Sequence, residues 1–302
     1  MTKKPIFSII FAVLLCGAAS SAGGLEIEGR FQLGNLGFSP ARGSTDATFA
    51  GSDYFWGGSL FLSQNFSSSI QIDAALNRDL IVGNSLSALF QYKTDYFRVG
   101  IGPYLGLLNS SSTILKPGIS TLLRAEFPGV AFVSLRTDGS LGGQASTEGD
   151  YFAQSNEILL GFYVSDSAIC AFGLSYKQLS SNQGATTLVD SLTAYSFDVK
   201  VFEKNVPYRL DFNFAYQVLL RQYIDNATNP SHGLGSVIAG AGIDIDITRA
   251  FALTFGFRTS VLTLGTGVLS GISDIGFSPF LFQGSVGFRI VLSDSEAPAE
   301  QS

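Results

Sequence analysis

The stretch Tyr208-Arg209-Leu210-Asp211-Phe212-Asn213-Phe214-Ala215-Tyr216-Gln217-Val218-Leu219 alternates residue by residue. Tyr208, Leu210, Phe212, Phe214, Tyr216 and Val218 share one parity, and Arg209, Asp211, Asn213, Ala215 and Gln217 take the other. A period of two belongs to a strand with two unlike faces. A soluble sandwich contains such strands as well, so one of them does not fix the environment. Recurrence does.

Outward from that stretch, similar runs span about Leu25–Leu33, Tyr54–Ser63, Ile70–Asn77, Ser85–Lys93, Tyr96–Leu107, Gly118–Phe127 and Val130–Thr137. They continue at about Ser155–Val164, Ala168–Leu179, Leu192–Phe202, Val237–Ile247, Ala250–Val261 and Phe280–Leu292. Short links join them at Gln64–Ser67, Thr94-Asp95, Pro128-Gly129, Ser165–Ser167, Glu203–Pro207 and Thr248-Arg249. Longer connections occupy Asn35–Asp53, Arg78–Asn84, Leu108–Pro117, Asp138–Gln154, Ser180–Ser191, Leu220–Ser236 and Leu262–Pro279. The two kinds alternate, as they do when one rim of a membrane barrel carries turns and the other carries loops. The expected fold class is all-β: a closed antiparallel transmembrane β-barrel of about 14 strands (12–16) with short periplasmic turns and longer extracellular loops.

Composition agrees with this reading. Apolar residues make up 46% of the 302-residue chain and charged residues 14%, yet beyond the N-terminal segment no apolar run reaches the ~18 residues of a membrane-spanning helix. Strands of about nine to twelve residues fit a tilted crossing of the hydrocarbon instead. Lys3 and Lys4, an apolar run from Pro5 to Ala19, and Ser20-Ser21-Ala22 read as a secretory signal over residues 1–22. Cys16 follows Leu15 rather than a small residue, which argues against lipid attachment. The expected barrel covers residues 23–292 and a polar periplasmic tail residues 293–302, with integral outer-membrane localisation after cleavage near Ala22. Cys170 is then the single cysteine of the mature chain and forms no internal disulfide. The net charge of −6, with basic residues scattered singly, excludes a nucleic-acid partner.

On the face expected to meet lipid, Phe97, Tyr92, Phe127, Tyr208 and Phe251 stand beside the short turns, and Tyr54, Trp56, Tyr176 and Tyr216 lie towards the loops. This is a pair of aromatic girdles at headgroup depth. The last strand, Ser285-Val286-Gly287-Phe288-Arg289-Ile290-Val291-Leu292, resembles the β-signal read by the barrel-assembly machinery, although it ends in Leu292 instead of an aromatic residue. In length, strand count and short loops, residues 25–292 resemble the fourteen-stranded monomeric porins. The resemblance implies outer-membrane lipid, the assembly machinery and small solutes as partners, and a monomer. Fourteen-stranded fatty-acid transporters carry an N-terminal plug, for which this chain leaves no room before its first strand.

The second parity is assigned to the lumen, giving a wall of Glu26, Glu28, Arg30, Asp73, Lys93, Arg98, Arg124, Glu126, Glu157, Lys177, Asp198, Lys200, Arg209, Asp211, Asp244, Asp246, Arg258 and Arg289. A wet lumen tolerates such charges and lipid does not. The signs nearly cancel, so weak ion selectivity is expected. Closure should bring Glu26 and Glu28 beside Arg289, and Arg209 and Asp211 beside Asp198 and Lys200, as an ionic ladder. Gly100, Gly102, Gly106, Gly240 and Gly242 should leave two bare wall strips, while Phe61, Leu89, Leu122, Leu159, Ile169 and Ile238 also project inward. The lumen is therefore either partly filled or suited to an apolar solute.

Catalysis finds no support. His232 is the one histidine and falls in an expected loop, so a Ser/His or Asp/His site on the strands is excluded. No cysteine–histidine cluster or ligand-spaced carboxylates suggest a metal, and the Gly-rich segment 265–271 opens no helix that could cradle phosphate. No cofactor is expected. The sequence points to a porin-like outer-membrane channel for passive diffusion of small polar solutes. The alternatives are a plugged structural or surface-interaction barrel and an uptake channel for hydrophobic small molecules.

Overall fold

The computed structural model describes residues 24–35, 55–79, 81–109, 113–142, 150–182, 186–203, 206–224, 231–264, 272–274 and 281–292. The expected signal segment, the C-terminal tail, Tyr54 and the Gly-rich segment 265–271 lie outside them. Strands run β1 (Leu25–Gly34), β2 (Phe55–Asn65), β3 (Ile70–Asp79), β4 (Gly83–Lys93), β5 (Phe97–Asn109), β6 (Thr113–Phe127) and β7 (Ala131–Ser140). They continue as β8 (Tyr151–Ser165), β9 (Ala168–Asn182), β10 (Thr187–Phe202), β11 (Tyr208–Ile224), β12 (Ser231–Asp246), β13 (Phe251–Leu264), β14 (Ile272–Asp274) and β15 (Phe282–Leu292).

Each strand from β1 to β13 pairs antiparallel with its sequence neighbour, β13 pairs with β15, and β15 pairs with β1. The wall is thus a closed barrel of fourteen strands. The three-residue β14 is not part of it; it adds parallel to the outer end of β12, opposite Ser231–Gly233. Closure removes the exposed edges that an open sheet would present, which is a requirement for a sheet in hydrocarbon.

Alternation sorts the side chains between two environments. Phe90, Ile101, Leu123, Phe172, Phe214 and Phe257 are exposed on the outside, as are Tyr92, Phe97, Phe127 and Tyr208 near the short-turn rim and Trp56 and Tyr216 towards the loops. An apolar outer belt of this kind is what a barrel offers to acyl chains. The aromatics also pair across strands, as in Phe31–Trp56 and Phe172–Phe197, with ring centroids 6.3 and 5.0 Å apart.

The short turns are built locally. Gly129 takes φ +70° after Pro128, and the Val130 N–H donates to the Phe127 carbonyl at 2.9 Å, as a turn with a left-handed third residue requires. At the next turn in the opposite direction round the wall, Thr94 Oγ1 accepts from the N–H groups of Tyr96 and Phe97.

The strands extend further towards the loop rim than the sequence reading placed them. β9 and β10 continue to Asn182 and from Thr187, β5 and β6 to Asn109 and from Thr113, and β11 and β12 to Ile224 and from Ser231. His232, expected in a loop, therefore lies on β12 opposite Arg221. Apolar alternation reports only the belt that meets hydrocarbon, whereas ladder hydrogen bonds carry a hairpin beyond that belt whatever the order of polar and apolar residues. The connection expected over Arg78–Asn84 is much tighter: Arg78 and Asp79 end β3, and Gly83 begins β4 with φ +77°.

Candidate functional site: the lumen

The interior parity of thirteen wall strands converges on a central cavity of about 690 Å³. Of the residues assigned to the lumen, Glu28, Glu157, Lys177, Asp198 and Arg258 line it, alongside Gln32, Asn213, Gln217 and Gln283. Glu28, Glu157 and Arg258 are exposed to it. Arg30 and Asp211 border a smaller recess of about 80 Å³ with Arg258.

The other assigned charges cluster nearer the short-turn rim. Arg124 bonds Glu126 at 2.7 Å, and Tyr163 donates to the same carboxylate. The Arg124 guanidinium lies 3.8 Å above the Phe132 ring, where the ring's π face favours it. Lys93 donates to Asn65 at 2.7 Å and to Gln71 at 3.3 Å, while Asp73 accepts from Gln71 at 2.7 Å and from Gln91. Among the described residues Glu26, Arg98, Lys200 and Asp244 form no ion pair within 4 Å.

The expected ionic ladder takes a different form. Glu28 does stand opposite Arg289 in the register, and Lys200 opposite Asp211, but neither couple is an ion pair. Asp246 gathers the cations instead, accepting from Arg209 at 2.5 Å and from Arg289 at 3.1 Å. Asp198 is held by neutral donors, Asn213 at 2.6 Å and Ser196 at 2.9 Å. Long Arg side chains lean along the strand and reach a diagonal carboxylate, so direct register does not decide pairing.

The glycine strips are filled rather than bare. A Cβ on Gly106 would come 2.8 Å from Tyr151 Oη, one on Gly240 2.7 Å from Arg258 Cγ, and one on Gly242 2.5 Å from Asp211 Oδ2. These glycines make room for neighbours that occupy the lumen wall. Gly161 does the same for Phe132, whose ring atom would lie 2.2 Å from its Cβ.

Four ion pairs were not legible beforehand. Arg136–Asp138 (2.8 Å) and Lys116–Asp150 (2.5 Å) lie towards the loop rim, and Asp190–Arg221 is a buried bidentate pair at 2.6 and 2.7 Å. The fourth joins Lys177 of β9 to Asp79 of β3. Six strand steps separate β3 from β9 in a wall of fourteen, so this pair crosses the lumen. Beyond Asp79 the turn folds inward, and Ile81 and Val82 are buried against Tyr151, Ala153, Leu179, Leu219, Leu234 and Leu281. Ile81 and Val82 also form part of the cavity wall. The apolar run Leu80-Ile81-Val82 inside an otherwise polar connection was the signal available in the sequence.

No family model matches the chain, and no curated protein matches it in sequence. Several solved barrels are similar in structure. A porin is 11% identical, with 89% of this chain and 100% of that chain covered and a TM-score of 0.40. An outer-membrane channel from Pseudomonas putida F1 is 8% identical, covering 90% and 96%, with a TM-score of 0.48. The CymD monoaromatic hydrocarbon channel is 10% identical, covering 92% and 90%, also at 0.48. Among the described residues no group of three or more His, Cys, Asp or Glu side chains is placed to hold a metal ion.

Proposed function

We propose that this protein is a non-enzymatic, monomeric outer-membrane channel through which small polar solutes diffuse passively with weak ion selectivity. The observation that carries the reading is the wide central cavity, enclosed by an apolar-belted barrel and lined by both signs of charge. Water and small hydrophilic solutes are tolerated there because inward charges are met by counter-ions, by neutral hydrogen-bond donors or by the open cavity. The 18 assigned charges set the field along the path, and the last strand is the segment offered to the assembly machinery.

One observation favours a second reading. The barrel interior holds an apolar cluster that a purely hydrophilic pore does not need, with Ile81, Val82 and Leu219 of it on the cavity wall, so uptake of hydrophobic small molecules stands as the alternative. Swelling of proteoliposomes in isotonic sugars tests the main reading. Rates should exceed those of protein-free vesicles and fall with sugar size; rates equal to the protein-free control would refute it.

A further inference from the structure

Among the described residues of the fourteen wall strands, every Asp, Glu and Lys and all but one Arg fall on the lumen parity. The exception is Arg78. Its partners in the register, Gly58 on β2 and Asn84 on β4, share the outer face with it, as do Ile70, Ile72 and Leu76 earlier on β3. Arg78 thus ends an outward apolar row at the loop rim, where a bilayer passes from acyl chains to headgroups. A charge on the lipid face is tolerated at that depth and not at the midplane.

The residue borders the cavity at the lip of the wall, but its guanidinium is held outside. It lies 3.7 Å above the Trp56 ring, and its Nε donates to the Trp56 carbonyl at 3.3 Å. Trp56 is stacked in turn on Phe31, and both rings are half-exposed. The stack fixes the plane of the guanidinium fork. Among the described residues its two terminal nitrogens meet no acceptor, and the neighbouring Asp79 turns inward to Lys177. Gly58 stands between Phe31 and Arg78 in the register, so the face has a gap beside the unused N–H groups. Next to it, Leu60, Leu76 and Leu86 stand abreast as an apolar surface.

We propose that this is a binding site for one outer-leaflet lipid that carries a phosphate monoester. The phosphate takes the two terminal nitrogens of Arg78 in a bidentate contact, the headgroup rests in the Gly58 gap against Trp56, and the acyl chains lie along the leucines. A monoester offers three oxygens and more than one negative charge to the fork. The phosphodiester of a zwitterionic lipid brings its own cation, which competes with Arg78 for the same oxygens. The site belongs to the outer face and does not depend on an open lumen.

Trp56 is the one tryptophan of the chain, so its fluorescence reads this site alone. Full-length protein is reconstituted in phosphatidylcholine vesicles, and quenching by dibrominated phosphatidic acid is compared with quenching by dibrominated phosphatidylcholine at equal mole fraction. Wild type should prefer phosphatidic acid several-fold. Arg78→Lys should keep part of that preference and Arg78→Gln should lose it, each variant being checked for folding by heat-modifiable gel mobility. A wild-type ratio near one, or a preference that survives in Arg78→Gln, overturns the proposal. Excess inorganic phosphate in the buffer should leave the preference in place; if it abolishes it, the site takes free anions and the lipid assignment fails. Trp56 that is shielded from both brominated lipids until the protein is diluted with lipid would make this face a contact between copies of the chain, which also overturns it.

Discussion

Asp190 and Arg221 show how far a single pair of residues depends on its surroundings. Their side chains are 4% and 6% exposed and meet in a bidentate fork between β10 and β11. Most other lumen pairs are half-exposed, such as Arg209–Asp246 at 33% and 38%, and contribute little individually because solvent screens them. Removing one partner of a buried pair strands a charge, so Asp190→Ala should cost about 3–5 kcal/mol in folding free energy, whereas replacing both partners by apolar residues of similar volume should recover most of it. Urea titration of the protein in detergent micelles measures both variants, and a loss below ~1 kcal/mol for the single change would contradict the assignment. Neither residue falls in a strand by alternation, since the adjacent apolar residues Leu188-Val189 and Leu219-Leu220 break the period of two beside them. Lys177 was legible as a lumen residue, but its partner Asp79 lies in what read as a loop, and only the folded turn brings the two together. Asp246 was likewise legible as inward, while its choice of Arg209 and Arg289 depended on side-chain reach.

At the scale of the strand, parity is the property on which everything else rests. In β11, Phe214 faces outward and is exposed, while Gln217 lines the cavity. The two therefore respond differently to the same substitution. Phe214→Arg puts a guanidinium near the middle of the apolar belt and should cost about 2–4 kcal/mol of folding free energy into lipid vesicles, the figure for such charges at the bilayer midplane. Gln217→Arg should fold nearly as wild type and shift the channel towards anions, read as a change in reversal potential. Equal destabilisation by both would mean that the faces are wrongly assigned. Alternation announced most wall strands because the bilayer imposes it, while the second, sixth and seventh, of mixed phase, were marked by the turns beside them. The strand ends and the three-residue β14 were not announced, since hydrogen bonding continues where the apolar constraint stops. The closing seam is secured by packing as well as hydrogen bonds: Phe288 of β15 covers Gly29 of β1 so closely that a Cβ there would lie 2.4 Å from its ring.

For the whole molecule, the rhythm of short and long connections was enough to give an antiparallel barrel of fourteen strands with both described ends of the wall, Leu25 and Leu292, at one rim and in register with each other. What occupies the lumen was not legible, because it depends on how one short turn folds across the interior and how glycines receive their neighbours' side chains. Inward Leu89, at 2% exposure, packs behind that wall as filling rather than as a contact for solute. The combination is a barrel with a polar cavity lined by both signs of charge and a buried apolar cluster nearer the loop rim. The most direct measurement is the single-channel conductance of refolded wild-type protein in planar bilayers, with the reversal potential taken under a salt gradient. Discrete open steps with a small reversal potential are expected of a weakly selective channel; a folded, inserted barrel that never exceeds the protein-free baseline would contradict it.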